Sequence, residues 1–477
     1  MWWKQWFANS APRLRHAALL AAVTVCVLDG AQTAFAQDCP PTKGDPRTGW
    51  IRPKCSVTAV ITADRLTSTG VPLEGSSVTV SYTVTANALY APTVSGNLTW
   101  NISRSDGIAD TPSGSIRVEN LATNETRGGR FSFKAPTAGK LSLRLRFGRD
   151  DEPYVGEFQR PTCCSDDMEF NVATRFVVSL ESIHIHNTRS RLKDTDFAHL
   201  EGSFGGQGVK TADKYLGDLA GGDHQTLMPI GPFECVPGDE LGELGLQLII
   251  LNHGYEGSAS EQLANFKNSI DGAVAAGFDI SNYRDGVSVW LTGHLLFPDC
   301  DGPVFVDAKP FSTSLLNLET FRTGINSYAE TIEAITDRDA DACNHADAHY
   351  KANFMFFRNG TIYRVKVTTG DVDDAGMFSH AYITLKGDNG ESREVHLDDY
   401  KENFHRGVTE EFLIACQDLG EVRSVTLRHD NKNDDRTWFV DKVTVEDIFT
   451  NKSWLFPCGK WFADNRDDNQ ISRVLTP

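Results

Sequence analysis

Apolar and polar residues alternate with a period of two along most of this chain. Between residues 56 and 172 the alternation is carried by "SVTVSYTVTA", "GNLTWNIS", "GRFSFKA" and "GKLSLRLRF". Gly, Pro, Asn and Asp separate these runs at short intervals, as turns between strands require. The pattern predicts an antiparallel β-sandwich over residues 56–172, with Trp100 in its core.

The overall pattern predicts an all-β protein of tandem antiparallel sandwiches, the first of them immunoglobulin-like. In residues 173–358, "RFVVSLESIHIHNTRS" and "KANFMFFRN" predict the first and last strands of a second domain. Between them, apolar residues recur at helical spacing in 258–277 and again in 317–335. We therefore expect the middle domain to be β-rich with helical insertions.

Residues 361–477 predict a third sandwich. "YRVKVTTGD", "EEFLIAC", "VRSVTLRHDN" and "WFVDKVTVED" each alternate, and "AYITLKGDNGESREVHL" is typical of a hairpin that turns at "DNG". In the last of these strands, Trp438, Val440, Val443 and Val445 do not share one parity. All four can be buried only if the strand contains a bulge near Asp441 or Lys442.

The N-terminal residues predict export. Residues 1–36 combine basic residues, an apolar stretch and the small-residue motif "AFA", which is typical of a secretory signal peptide. No later run of apolar residues is long enough to span a membrane, so we expect a secreted or periplasmic protein. The formal net charge of −18 argues against nucleic acid as a partner.

Cysteines in an exported chain predict disulfides. Cys39 and Cys55 bracket residues 37–55, and we expect them to close a small N-terminal loop. The partners of Cys163, Cys164 and Cys235 stay open.

The C-terminal segment resembles the PLAT domain, a β-sandwich shared by polycystins, lipoxygenases and a clostridial α-toxin. The resemblance is carried, in family order, by "YRVKVTTGDVDDAG", "ITLKGDNGES", "FHRGVTEEF", "DLGEVRSVTLRHDN", "WFVDKVTVED" and "FPCGKWFADNRDDNQISR". It implies loops at one edge that bind calcium and carry aromatic residues toward a membrane, or a surface that binds a protein partner.

Two acidic loops supply the oxygen ligands that calcium prefers. The predicted metal ligands are Asp371, Asp373, Asp374, Asp430, Asn431, Asp434 and Asp435. Phe378 stands where the family often has an aspartate ligand, which weakens the site. The alternative is that these carboxylates only keep turns solvated. Met377, Phe378 and Trp438 are the predicted membrane or partner contacts.

Residues 173–358 resemble an uncharacterised bacterial extracellular domain through "NTRSRLKDTD", "LNHG" and "CDGPV". That resemblance implies a disulfide between Cys300 and Cys343. A weaker expectation pairs Cys416 with Cys458.

The sequence favours a secreted binding protein whose PLAT module contacts lipid, membrane or a protein partner. No G-x-S-x-G or H-E-x-x-H motif occurs, which argues against a lipase or a metalloprotease. One alternative is an enzyme with its site in the middle domain, which would require His184, His186, His253 and His294 to converge. Another is a structural envelope or adhesion protein.

Overall fold

A computed structural model describes most of the chain from Cys55 to Pro477. The described ranges are 55–86, 92–104, 112–136, 138–150, 165–189, 193–204, 207–235, 244–252, 302–311, 327–336, 348–397, 404–432 and 437–477. The predicted signal peptide, the predicted helix at 258–277 and Cys39, Cys300 and Cys343 lie outside these ranges. The side chain of Cys55 is not described either, so the Cys39–Cys55 pair stays a prediction.

Seven strands form the first sandwich, in two sheets of order β1-β2-β5 and β4-β3-β6-β7. They are β1 (Cys55–Ala63), β2 (Ser77–Ala86), β3 (Thr93–Arg104), β4 (Ser113–Ala122), β5 (Thr126–Lys134), β6 (Gly139–Arg149) and β7 (Ser165–Val172). Inward residues such as Val80, Leu98 and Leu143 form its core. Trp100 is only half-buried and stacks on Phe131 at the edge of that core.

The described residues of the middle sandwich form eight strands, in sheets of order β10-β9-β12-β13 and β11-β8-β15-β14. They are β8 (Thr174–Asn187), β9 (Asp194–Phe204), β10 (Lys210–Leu219), β11 (Gly222–Cys235), β12 (Leu244–Asn252), β13 (Gly302–Phe311), β14 (Ser327–Thr336) and β15 (Ala348–Arg358). The helix predicted at 317–335 is wrong from residue 327 onward, because Ser327–Thr336 pairs with β15 along its whole length, and residues 317–326 lie outside the described ranges. Its β-branched residues suit an edge strand, and no helix occurs among the described residues.

Nine strands form the C-terminal sandwich. They are β16 (Gly360–Thr369), β17 (Ala381–Gly387), β18 (Gly390–Glu391), β19 (Val395–Leu397), β20 (Thr409–Gln417), β21 (Val422–His429), β22 (Trp438–Asp447), β23 (Lys452–Phe462) and β24 (Ser472–Leu475). One sheet has the order β20-β16-β22-β23 and the other β18-β17-β21-β24, with β19 paired to β17. All pairings are antiparallel, which confirms the predicted all-β fold.

Contacts divide the described residues into two compact units. One holds the first sandwich, and the other holds the middle and C-terminal sandwiches together. In the second unit, the C-terminal core continues into Val177, Leu227 and Phe357 of the middle sandwich. An arginine at the surface, Arg393, also pairs with buried Glu181 of β8.

A single residue joins the middle and C-terminal sandwiches. β15 ends at Arg358 and β16 begins at Gly360, so only Asn359, with φ +48°, lies between them. A Cβ on Gly360 would lie 2.3 Å from Val177 Cγ2 and 2.6 Å from the carbonyl oxygen of Phe357. The junction therefore accepts only glycine at this position.

Two carboxylates lie in the interior of the middle sandwich. Asp194 and Asp196 of β9 are both fully buried, and the hydroxyl of buried Tyr350 in the opposite sheet lies 2.8 Å and 2.9 Å from their Oδ2 atoms. The hydroxyl has one proton, so it can donate a hydrogen bond to only one of the two carboxylates at a time. Burial, followed by the neighbouring charge of Asp194, raises the pKa of Asp196 well above its ordinary value.

The predicted pairing of Cys416 with Cys458 is wrong. Both residues carry free thiols. They lie in β20 and β23, the two outer strands of one four-stranded sheet. Three strand spacings put them roughly 14 Å apart, about twice the Cα separation that a disulfide can bridge.

Candidate functional site

Several loops of the C-terminal sandwich meet at one end, which we name the loop end. Antiparallel pairing brings the end of β16, the start of β20 and the start of β22 together there. The backbone of Gly407 donates to Gly370 O at 3.2 Å, and that of Asp430 donates to His380 O at 3.0 Å. These contacts tie the first acidic loop to the loop before β20 and the start of the second acidic loop to His380, so both acidic loops begin at the loop end.

Trp438 supports the loop end from inside. Its side chain is fully buried, its Nε1 donates to Thr369 Oγ1 at 3.0 Å, and its ring packs against Phe404 at 4.6 Å. The prediction that Trp438 contacts a membrane or partner is therefore wrong. Its size and its N–H group serve to fix β16 and the loop that carries Phe404.

A bulge in β22 lets this strand bury four large residues. Register shifts between Val440 and Lys442 in the pairing with β23, and the same residues shift against β16. Asp441 is the extra residue and points to solvent. Trp438, Val440, Val443 and Val445 are all fully buried. The bulge predicted from their mixed parity is confirmed.

Arginines accompany the carboxylates of the first acidic loop. Arg406 Nε lies 2.7 Å from Asp371 Oδ1, and its Nη1 lies 2.5 Å from Asp373 Oδ1. Arg466 Nη2 lies 3.1 Å from Asp374 Oδ2. Hydrogen bonds that Arg406 donates to Asp371 and Asp373 raise the pKa of its guanidinium, which keeps it charged. Arginines from two other loops thus offset part of the negative charge of this loop.

The second acidic loop is held differently. Asp430 Oδ1 accepts hydrogen bonds from the backbone of His380 and Lys432, each at 3.3 Å. Its buried Oδ2 has no hydrogen-bond donor and lies 3.9 Å from Lys432 Nζ. Asn431 Nδ2 donates to Asp464 Oδ2 at 2.9 Å, while Asn431 Oδ1 is buried without a donor. Two side-chain oxygens are left without hydrogen-bond donors here.

These oxygens do not form a complete metal site by themselves. Within the ranges that the structure describes, no group of three or more His, Cys, Asp and Glu side chains could hold a metal ion. Asp434 and Asp435, also predicted as ligands, lie outside those ranges.

An apolar tip projects from the loop end. Val372, Phe378 and Val408 are among the exposed large hydrophobic residues, at 38%, 56% and 43% of their full accessibility. The Phe378 ring lies 6.3 Å from that of His405, next to Arg406. Met377 is instead buried at 2%, so its predicted outward contact is wrong. We use "apolar tip" for Val372, Phe378 and Val408.

The contacts of several residues at the loop end could not be predicted from the neighbouring sequence. Val372 and Val408 are 36 positions apart, and Arg406 is 35 positions from Asp371. They meet only because β16 and β20 are paired. The sequence around Arg406, "FHRGVTEEF", does not indicate which residues the arginine contacts. Phe378 can be identified from the sequence, because it stands where the family often has an aspartate.

Two of the four histidines suggested for an enzymatic site, His184 and His186, are in contact. His184 and His186 have ring centroids 4.4 Å apart, His186 and His349 lie 4.3 Å apart, and His184 Nδ1 is 2.7 Å from Asp223 Oδ1. His253 and His294 lie outside the described residues. The convergence of all four therefore stays a prediction.

Comparison with known proteins identifies the C-terminal sandwich. Residues 363–476 match the PLAT/LH2 domain family. The human lipoxygenase homology domain-containing protein 1 is 35% identical over 123 residues, which cover 26% of this chain and 6% of that protein. The mouse polycystin-1-like protein 3 is 37% identical over 117 residues, covering 24% and 5% respectively.

Solved structures match the same part of the chain. One is a coral 8R-lipoxygenase, whose description reports calcium activation via a C2-like domain. It is 28% identical, covers 24% of this chain and 17% of its own, and has a TM-score of 0.22. The chain thus spans only a small part of the proteins it matches. Separately, no helix in the described part of the chain is long and apolar enough to cross a membrane.

Proposed function

The C-terminal sandwich is a PLAT domain, and we propose that the protein is a binding protein that inserts its apolar tip into a lipid membrane. PLAT domains bind lipid membranes or protein partners. The observation that favours a membrane here is the apolar tip, three exposed hydrophobic residues on adjacent loops. Isolated exposed apolar residues are ordinary, but a group at one end of a domain is typical of an interaction surface.

The charges around the apolar tip are compatible with a membrane surface. Arg406 neutralises part of the charge of Asp371 and Asp373, and Arg466 does so for Asp374. Without these arginines, three carboxylates would face the headgroups and oppose approach to anionic lipid. The buried Trp438 and Phe404 hold the loops in place, so little conformational entropy is lost on contact.

Co-sedimentation with liposomes tests this proposal. The full-length chain is mixed with phosphatidylcholine vesicles, with and without phosphatidylserine. Phe378→Ser should weaken binding roughly tenfold, because burying a phenyl group is worth about 1.5–3 kcal/mol. Leu455→Ser is the matched control. Leu455 has a similar exposure, 53%, but it lies near the start of β23, which is the end of that strand away from the apolar tip.

Two results would reject the membrane proposal. One is equal weakening by Phe378→Ser and Leu455→Ser. The other is no binding to either vesicle type, which would favour a protein partner for the same PLAT domain.

Calcium binding is a second candidate function of the loop end. It is favoured by the unpartnered Asp430 Oδ2 and Asn431 Oδ1, because calcium takes carboxylate and amide oxygens. Asp371, Asp373 and Asp374 are weaker candidates, since calcium would have to displace an arginine from each. We expect a dissociation constant of about 10⁻⁴–10⁻³ M.

Isothermal titration of the full chain with calcium tests this candidate. Asp430→Asn should abolish the binding heat, whereas Asp371→Asn should leave most of it. If the wild type gives no heat at millimolar calcium, the loops are not a metal site, and the membrane proposal stands or falls separately.

We also propose that the chain is exported, on the basis of the signal-like residues 1–36. Mass spectrometry of the protein recovered outside the cytoplasm should show an N-terminus at Gln37. An uncleaved N-terminus on cytoplasmic protein would contradict export.

A further inference from the structure

Two histidines of the C-terminal sandwich face each other through their ring nitrogens. His380 immediately precedes β17, and His396 lies in β19, which pairs with β17. His380 Nδ1 and His396 Nε2 are 3.0 Å apart, and the rings are nearly perpendicular at 74°. His184 and His186, by comparison, meet edge to face with ring centroids 4.4 Å apart.

That separation is close to what a shared metal ion requires. Two imidazole nitrogens bound to one tetrahedral Zn²⁺ at 2.0–2.1 Å lie about 3.3 Å apart. In the metal-free pair, a proton on one nitrogen bridges to the other. A divalent metal can replace this proton after a shift of a few tenths of an ångström.

The surroundings hold His396 in place. Tyr382 stacks on the His396 ring at 5.0 Å and 26°, and the guanidinium of Arg428 covers the Tyr382 ring at 4.0 Å. Two hydrogen bonds to Glu394, at 2.6 Å and 2.5 Å, balance the Arg428 charge. The charge of Arg428 is therefore partly neutralised, so Arg428 repels a bound cation less.

A carboxylate lies beside the pair. Asp430 Oδ1 accepts the backbone N–H of His380 at 3.3 Å. Asp430 is thus close to the backbone of one of the two histidines. Its negative charge favours a cation between the imidazoles and supports the loop that carries His380.

We infer that His380 and His396 form a binding site for a borderline divalent transition metal, with Zn²⁺ as the expected ion. Imidazole nitrogen suits Zn²⁺ and Cu²⁺, whereas calcium prefers oxygen. The two nitrogens are the protein ligands, and water completes the coordination. The inference does not depend on membrane binding.

Zinc competition with a chromogenic chelator tests this site in the full-length chain. His380→Ala and His396→Ala should each weaken zinc binding roughly tenfold or more, and the double variant should lose one equivalent of zinc. The control is the double variant His184→Ala/His186→Ala, which removes two neighbouring histidines of the middle sandwich. This control variant should still bind the same equivalent of zinc. Thermal melts of all variants verify folding.

Copper spectroscopy gives a second measurement that does not rely on the His380 and His396 variants. In the His184→Ala/His186→Ala background, one equivalent of Cu²⁺ should give an electron paramagnetic resonance spectrum with two nitrogen ligands. Fewer than two nitrogens would overturn the inference. So would unchanged zinc binding in the folded His380→Ala/His396→Ala variant, or loss of the zinc equivalent in the control variant.

Discussion

The middle and C-terminal sandwiches place their carboxylates in opposite ways. The C-terminal sandwich keeps Asp371 and Asp373 on an exposed loop, where Arg406 contacts both. The middle sandwich buries Asp194 and Asp196 between its sheets, with the Tyr350 hydroxyl between them. The loop carboxylates remain available for interactions at the surface, whereas the buried ones tie the stability of their sandwich to proton binding.

The two sandwiches also differ in what a large, fully buried aromatic residue does in each of them. Trp438 is held by one hydrogen bond to Thr369 and otherwise packs on rings, so it contributes mainly by apolar burial. Tyr350 is equally buried, but its hydroxyl connects two acidic groups. Substitutions should therefore act through packing in one sandwich and through protonation in the other.

The largest effect is expected from Trp438→Ala. Removing a fully buried indole leaves a cavity and should lower the free energy of unfolding by about 3–5 kcal/mol. Phe439→Ala is the control, since the neighbouring ring is half-buried and should cost less than about 2 kcal/mol. Chemical denaturation measures both. Equal losses would show that the loop end does not depend on the indole.

A pH effect is expected next, from Asp196. Its pKa is raised in the folded protein above the ordinary 3.8, chiefly by burial and then by Asp194. A raised folded pKa means that the native state binds the proton more tightly than the unfolded state does. The contribution of this group is therefore fully present below about pH 4 and is lost as pH rises through the folded pKa.

Asp196→Asn tests that effect. The variant should remove the part of the pH dependence that comes from Asp196, and each unit of the pKa elevation corresponds to about 1.4 kcal/mol. Denaturation between pH 4 and pH 9 measures the slope. Asp223→Asn, a change at an exposed carboxylate of β11, should leave this slope in place. A wild-type slope in Asp196→Asn would contradict the assignment.

The smallest stability effect is expected from Arg406→Gln. Its ion pairs with Asp371 and Asp373 are exposed, and solvent screening leaves such pairs with little effect on stability. Membrane binding should respond more clearly, with weaker co-sedimentation on phosphatidylserine vesicles than on neutral ones, because two carboxylates lose their cation. Arg423→Gln, at another exposed arginine pair of the same sandwich, should not change lipid preference.

The sequence predicted strands better than it predicted which loop residues are exposed. The bulge at Asp441 followed from parity, because a strand has only two faces and four large residues had to be buried. Loops have no such period, so Met377 and Phe378 could not be told apart, and one is buried while the other projects. The stretch containing Tyr328, Ile332 and Ile335 fitted a helical stripe, but pairing with β15 made it a strand.

Partners distant in the sequence could not be predicted at all. The acidic residues were identified, but Arg406 and Arg466 reach them only through strand pairing. The same holds for Tyr350, which lies 156 positions from Asp194. His380 directly precedes the predicted hairpin and His396 lies near its end. Only the register of β17 and β19 shows that their ring nitrogens are in contact.

The junction at Asn359 has a mechanical consequence. Because β15 leads into β16 with one residue between, a pull on the apolar tip meets no slack that could extend first. The load passes along β16 through Asn359 into β15, which is hydrogen-bonded to both β8 and β14. On the membrane proposal, tension at the apolar tip would therefore reach the middle sandwich without first extending a linker.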